Sequence, residues 1–235
     1  MTSKPIDVDN TIHKSTHLTP NQRQQAKKVL HKNKEVFDGK LGLMSGGDCH
    51  VNMKDDAPCS LQKRCFPVAK CHEKKFKQEL DRLVKLNVIK RLCGHETQGN
   101  FAFPAFTMPK KNTDEIRFVT DFWELNKHAQ RSPFLVSPMR DALNKMEGFQ
   151  FATTIDISMG CWHMQLDLES QHKLIITTPW CRYAYTSLPM GLSSSADVFQ
   201  ERMSWLVEVI ENVFVCIDDL LILSNGTFEE HITPV

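Results

Sequence analysis

The sequence predicts an α+β fold, on three observations. Apolar residues recur at helical spacing in stretches 19–37, 72–87 and 193–210. Short runs of strand character lie between and after them, at 101–108, 115–122, 149–157 and on both sides of 218–219. The 235-residue chain is 41% hydrophobic and 24% charged, enough apolar material for a sizeable core.

The elements follow in order. The first 17 residues are polar and aperiodic and predict a mobile arm. Thr19-Pro20-Asn21-Gln22 is a helix start, with a threonine cap, proline in the first turn and glutamine three residues after the cap. Ala26, Val29, Leu30, Val36 and Phe37 then mark one face, and Asp38-Gly39 ends the helix. Glycines and Pro58 make 39–60 a linker with one short strand near His50–Met53. A second helix runs from His72 to Asn87, with Phe76, Leu80, Leu83, Val84 and Asn87 marking one face. Residues 93–100 read as a loop, and the turn KKNTDE separates the strands at 101–108 and 115–122. Ser137-Pro138 opens a short helix to about Met146. FQFATTIDI is a buried strand ending in an aspartate, and 173–187 form a hairpin around Pro179-Trp180. The helix from Ser193 points Ala196, Phe199, Met203, Leu206, Val207 and Ile210 inward. Last comes VFVCI-DD-LLIL, two apolar strands flanking paired aspartates. The chain divides into an arm, helix and linker (1–60), a middle region (61–150) and a final region (151–235).

Net charge is only +1, but residues 61–91 hold ten Lys/Arg against three Asp/Glu, while 141–235 hold four against thirteen. A basic region ahead of an acidic one suits a protein that grips phosphate and binds divalent metal; two solvated helix faces would read the same way. The eight cysteines contain no Cys-x-x-Cys pair, and with no signal-peptide pattern at the start they read as intracellular thiols. No run of 18 apolar residues implies a membrane span. The expected location is the cytoplasm or nucleus.

Asp218-Asp219 is the most informative dipeptide. Adjacent carboxylates between apolar strands repel each other and raise each other's pKa. A turn needing only polarity would more naturally use Asn-Gly. A divalent cation removes the conflict, because Mg²⁺ takes hard oxygen ligands from one or two carboxylates plus substrate phosphates. Asp55-Asp56, by contrast, lies in the polar loop MKDDAP. Asp156 ends a strand, where an aspartate usually caps or turns; beside Asp218-Asp219 it completes a set of three carboxylates at one level. Such a set fits two metals about 3.5–4 Å apart and in-line nucleotidyl transfer.

Four ordered blocks, RFVTDFWELN (117–126), FATTIDISMGCWHMQLD (151–167), YAYTSLPMGLSSSADVFQERM (183–203) and VCIDDLLILSNGTFEEH (215–231), resemble the reverse transcriptase of gypsy-class LTR retrotransposons. HLTPNQRQQAKKVLHKNKEVFDGKLG (17–42) and FPVAKCHEKKFKQELDRLVKLNVIKR (66–91) are similar to those elements too. The resemblance implies a right-hand polymerase: fingers at 61–150 and part of a palm at 151–235, an antiparallel sheet backed by helices. The thumb, RNase H and integrase are expected to lie outside these residues. It implies RNA-directed DNA synthesis from deoxynucleoside triphosphates on a primed RNA or DNA template. Two Mg²⁺ ions, replaceable by Mn²⁺, would be held by Asp156, Asp218, Asp219 and the Ile157 carbonyl. Lys110 and Arg117 would contact the triphosphate, with Lys111 as the alternative to Lys110. Met190-Gly191 would lie beneath the sugar and base, Phe199 would be structural and Gln200 template-adjacent.

Several positions depart from the pattern. Cys161 stands where an aromatic ring crowds the sugar 2′ carbon, with Trp162 beside it. Cys216-Ile217 replaces an aromatic-x dipeptide, Trp123 an arginine and Cys181 a glycine. Each is one base change away, as in a decaying element copy. An inert remnant, or a nucleic-acid-binding module that uses 61–91 without chemistry, are the alternatives.

Overall fold

The computed structural model describes residues 5–94, 99–109, 116–134 and 148–233. The expected helix at 137–146 and the candidate lysines Lys110 and Lys111 fall outside these. The chain forms two compact units, each built from separate stretches: 1–40, 135–160 and 200–235 make one, and 41–134 and 161–199 the other. Each has its own sheet.

The first unit holds an antiparallel three-stranded sheet, β5 (Phe151–Asp156), β9 (Asp219–Ser224) and β8 (Val213–Cys216), in the order β5-β9-β8. Its helices include α2 (Pro20–Lys32), whose Thr19–Gln22 capping box forms as the sequence predicts. The arm is not unstructured. Residues Val8–Lys14 form helix α1, because Asp7 caps it by accepting from the Asn10 N–H at 3.1 Å. An ion pair from Asp9 to Lys27 joins α1 to α2. The apolar face of α2 is only half-buried, and Val36, in a 3-10 turn after it, is 79% exposed. Helix α7 (Phe228–Ile232) carries a second capping box, Thr227 with Glu230.

The second unit holds a mixed sheet. Strands β1 (Leu61–Gln62), β3 (Phe101–Pro109), β6 (Ile175–Thr177), β7 (Arg182–Tyr185) and β2 (Ile89–Arg91) lie in the order β1-β3-β6-β7-β2, and β4 (Ile116–Thr120) pairs with β3. Helix α3 (Lys70–Lys85) buries Phe76, Leu80 and Leu83 as its periodicity predicts, while Val84 is exposed. Short helices α4 (Trp123–His128) and α5 (Leu168–Lys173), too brief for a periodic signal, complete it. The strand expected near His50–Met53 reduces to isolated bridges at Cys49 and Met53, since their partners, Leu166 and Ala129, lie on different segments.

Helix α6 (Ser195–Val207) is shorter than its sequence period suggests. Phe199 and Met203 are buried, but Leu206, in the last turn of the helix, is 43% exposed, and Ile210 is 36% exposed because the helix gives way to turns after Val207 and the 3.6-residue period no longer applies. Among the described residues no helix is long and apolar enough to cross a membrane. None of the eight cysteines is in a disulfide.

Candidate active site

The carboxylates are positioned by strand register. Strands β5 and β9 pair with Asp156 directly opposite Asp219. The next pair out, Ile157 and Asp218, is hydrogen-bonded, with the Ile157 N–H donating to the Asp218 carbonyl at 2.8 Å. Alternation in an antiparallel ladder makes Asp156–Asp219 a non-hydrogen-bonded pair, the class whose side chains come closest. Like charges placed so are destabilising unless something neutralises them. Cys216 faces Asp219 from the other side, on β8. Three strands therefore set Asp156, Asp219 and Cys216 in a row on one face.

Asp218 sits in the two-residue turn between β8 and β9 with Ile217. Ile217 has φ of 56°, a left-handed conformation that a β-branched residue rarely adopts. Gln200, buried on α6, holds it there: its Oε1 accepts from the Ile217 N–H at 2.7 Å, and its Nε2 donates to the Val215 carbonyl at 3.1 Å. The resemblance implied a template-adjacent Gln200; its side chain is buried and braces the aspartate turn, and no sequence signal separates such a brace from any polar residue on a helix.

One oxygen of Asp218, Oδ1, is buried without a hydrogen-bond partner among the described residues. Burial, then the charges of Asp156 and Asp219, push its carboxyl above the ordinary aspartate range. Gly160 makes room for it, since a Cβ there would collide with Asp218 Oδ1. A buried oxygen lacking a donor beside two further carboxylates suits a hard cation. As placed, no three His, Cys, Asp or Glu side chains among the described residues converge tightly enough to chelate one. The donor chemistry fits a divalent ion, and closing on one would need the carboxylates to draw together. The Ile157 carbonyl accepts from the Gly160 N–H at 3.4 Å, a long contact.

The remaining expected residues lie in the other compact unit. Arg117 is exposed on β4, opposite Met108 of β3. Cys161 is buried, its thiol directed at the Ser195 carbonyl at 3.9 Å. The Trp162 ring lies 5.7 Å from the Arg82 guanidinium. Met190 is 47% exposed, and Gly191 has φ of 97°, which favours glycine. Asn126 clamps this turn: its amide donates to the Gly191 carbonyl at 3.0 Å and accepts from the Ser193 N–H at 2.9 Å. Sequence reasoning missed Asn126, although it ends the FWELN block. Gly191 also borders an open cavity of about 590 Å³ lined by Phe66, Phe106, Phe122 and Trp123. Trp123 carries Lys127 over its ring at 3.4 Å and Lys63 at 5.5 Å.

No family model matches the chain. It is 25% identical over 237 residues to the retrovirus-related Pol polyprotein from transposon 297 of Drosophila melanogaster, covering 97% of this chain and 22% of that protein. It is 27% identical over 192 residues to the enzymatic polyprotein of Cestrum yellow leaf curling virus, covering 79% of this chain and 27% of that one. The chain thus spans about a quarter of these relatives. Among solved structures, it matches the foamy viral protease-reverse transcriptase in complex with RNA/DNA hybrid with a TM-score of 0.82 at 21% identity, over 97% of this chain and 30% of that one. The foamy viral protease-reverse transcriptase dRH, in complex with double-stranded DNA, matches with a TM-score of 0.82 at 21% identity, over 96% and 38%.

Proposed function

We propose that this chain, which has the reverse-transcriptase fold and is similar to retrotransposon Pol polyproteins, is the fingers and partial palm of an RNA-directed DNA polymerase. Residues 61–150 are the fingers and 151–235 the palm part. The reaction joins a deoxynucleoside triphosphate to a primer 3′-OH on an RNA or DNA template. The observation that carries this reading is the buried, partnerless Oδ1 of Asp218, set beside the carboxylates of Asp156 and Asp219.

Asp156, Asp218 and Asp219, with the Ile157 carbonyl, would hold two Mg²⁺ ions or Mn²⁺ in their place. When bound, such a pair neutralises charge on the attacking and leaving oxygens. The protein's own residues supply position, the dominant contribution in this chemistry. Gln200 fixes the turn that aims Asp218. Arg117 offers a planar fork to triphosphate oxygens, and Lys110 or Lys111 a movable charge. The Met190-Gly191 turn, clamped by Asn126, lies beneath the sugar and base. Cys161, smaller than an aromatic ring, admits a bulkier sugar.

The test places these 235 residues in the matching segment of a transposon 297 polymerase and measures primer extension with Mg²⁺ or Mn²⁺, beside Asp218→Asn. Metal-dependent synthesis lost in the variant supports the reading. Equal synthesis in both overturns it.

A second reading, a nucleic-acid-binding module without chemistry, is favoured by the lack of a tight three-carboxylate cluster among the described residues. Salt-sensitive binding of primed template with no extension would select it.

A further inference from the structure

Cys93 and Cys181 lie outside the carboxylate cluster, and nucleotidyl transfer has no use for them. Strands β2 and β7 pair antiparallel, with Ile89 opposite Tyr185 and Arg91 opposite Tyr183. The pairing continues past the end of β2, where the Leu92 N–H donates to the Arg182 carbonyl at 3.0 Å. One step further in the same register, Cys93 faces Cys181.

Alternation fixes what kind of pair this is. The Thr186 N–H donates to the Val88 carbonyl at 2.9 Å, so 88 with 186 and 92 with 182 are hydrogen-bonded pairs. Positions 93 and 181 are then a non-hydrogen-bonded pair. The backbone of Cys181 agrees, since both its polar groups turn to the opposite side: its N–H donates to Thr178 Oγ1 at 3.1 Å, and its carbonyl accepts from the Thr178 N–H at 3.0 Å. Such pairs hold Cα atoms about 4.5 Å apart with both side chains on one face. That lies inside the range of about 4.4–6.8 Å that a disulfide spans.

The surroundings suit exchange chemistry. Arg91 and Tyr183 share this face, two residues back on each strand. The sulfur of Cys181, and more weakly that of Cys93, attract the Arg91 guanidinium and hold it more firmly protonated. A cation here favours the negative charge that thiol–disulfide exchange builds on sulfur. Cys93 is exposed and Cys181 half-buried, so a small reagent reaches Cys93 first.

We propose that Cys93 and Cys181 are a redox-responsive dithiol, converted by a small disulfide such as oxidised glutathione into a cross-strand bond tying edge strand β2 to β7. The deprotonated Cys93 sulfur attacks one sulfur of glutathione disulfide, and one glutathione leaves with its bonding electron pair and takes up a proton. Cys181 then attacks Cys93 in the mixed disulfide and expels the second glutathione, which is protonated in turn. Two protein thiols and one glutathione disulfide become one protein disulfide and two glutathiones. The protein sulfurs lose two electrons and glutathione gains them.

The experiment oxidises the folded 235-residue chain with glutathione disulfide, alkylates the remaining thiols and maps them by mass spectrometry. Two of the eight thiols should be protected, in one linked peptide pair joining Cys93 to Cys181, and dithiothreitol should release both. Cys93→Ser should leave Cys181 without an intramolecular bond. Arg91→Gln should slow bond formation several-fold at pH 7. Full alkylation of both thiols, protection of a different pair, or the same linked peptide at equal yield in 6 M urea would overturn the proposal.

Discussion

Asp218 is a carboxylate with one oxygen that water does not reach and that no group among the described residues bonds. Its folded-state pKa is raised, by burial first and then by Asp156 and Asp219. A raised carboxyl leaves stability untouched at acid pH, where it is protonated folded or unfolded, and weakens the fold as pH rises through the folded value. Without divalent metal, Asp218→Asn should therefore raise the urea midpoint at pH 7, and the gain should fade toward pH 4. A lower midpoint at pH 7 would mean that the aspartate is not desolvated in the folded chain. Gln200 gives a second expectation. Replacing it with alanine leaves the Ile217 N–H and the Val215 carbonyl without partners, and each buried loss costs about 1–3 kcal/mol. The unfolding free energy should fall by about 2 kcal/mol or more, against no change if solvent replaces the amide. Ile217 supplies the opposite case. A left-handed β-branched residue is strained by about 1–2 kcal/mol, so Ile217→Gly should stabilise the fold by about 1 kcal/mol in the same assay. A loss there would show that the half-exposed isoleucine side chain packs more than its backbone strains.

The shortest α-helix among the described residues illustrates what an element needs besides a sequence period. Helix α7 has five residues, too few to fold by propensity, and is held by its cap and one buried side chain. His231 is 2% exposed; its ring nitrogens meet Thr153 Oγ1 and Ser224 Oγ, each at 2.8 Å. Phe151 stacks near both Phe228 and His231, at 5.5 and 5.6 Å. Burial holds the imidazole below its ordinary value. A histidine depressed in the folded state stabilises above its unfolded pKa, and that contribution is lost as pH falls through the folded value. The urea midpoint should thus drop from about pH 7 toward pH 5, less steeply in His231→Gln, and parallel curves would remove His231 from the account. Long elements were legible from their period, as in α3, where Phe76, Leu80 and Leu83 fall inside. Elements of three to seven residues, β2, α1, α4 and α5, were not, because a cap such as Asp7 or a tertiary strand partner decides them. The opposite error befell Ile210, where the apolar period outlasts the helix.

At the scale of the whole chain, the three carboxylates were legible because paired charge inside apolar strands is electrostatically odd. The brace on Gln200 and the clamp on Asn126 were not, since each depends on a partner 15 to 67 residues away. Charge distribution was also visible: ten basic against three acidic residues in 61–91, and four against thirteen in 141–235. The acidic stretch repels a phosphate backbone, so attraction to nucleic acid must come largely from the basic one. Helix α3 carries part of it. Lys70 and Lys74 are exposed there, whereas Lys77 pairs with Glu73 at 2.7 Å and lies over the Trp180 ring at 4.6 Å. Each lysine that neutralises a phosphate releases about 0.7–0.9 of a counterion, which appears as that much slope in log affinity against log salt. Template affinity measured by fluorescence anisotropy from 50 to 200 mM salt should fall steeply for the unaltered chain. In Lys70→Gln/Lys74→Gln the slope should shrink by about 1.5 if both lysines meet phosphate, with affinities converging at high salt. Parallel lines for the two proteins would mark the face of α3 as solvated surface and move the grip to other cations of 61–91.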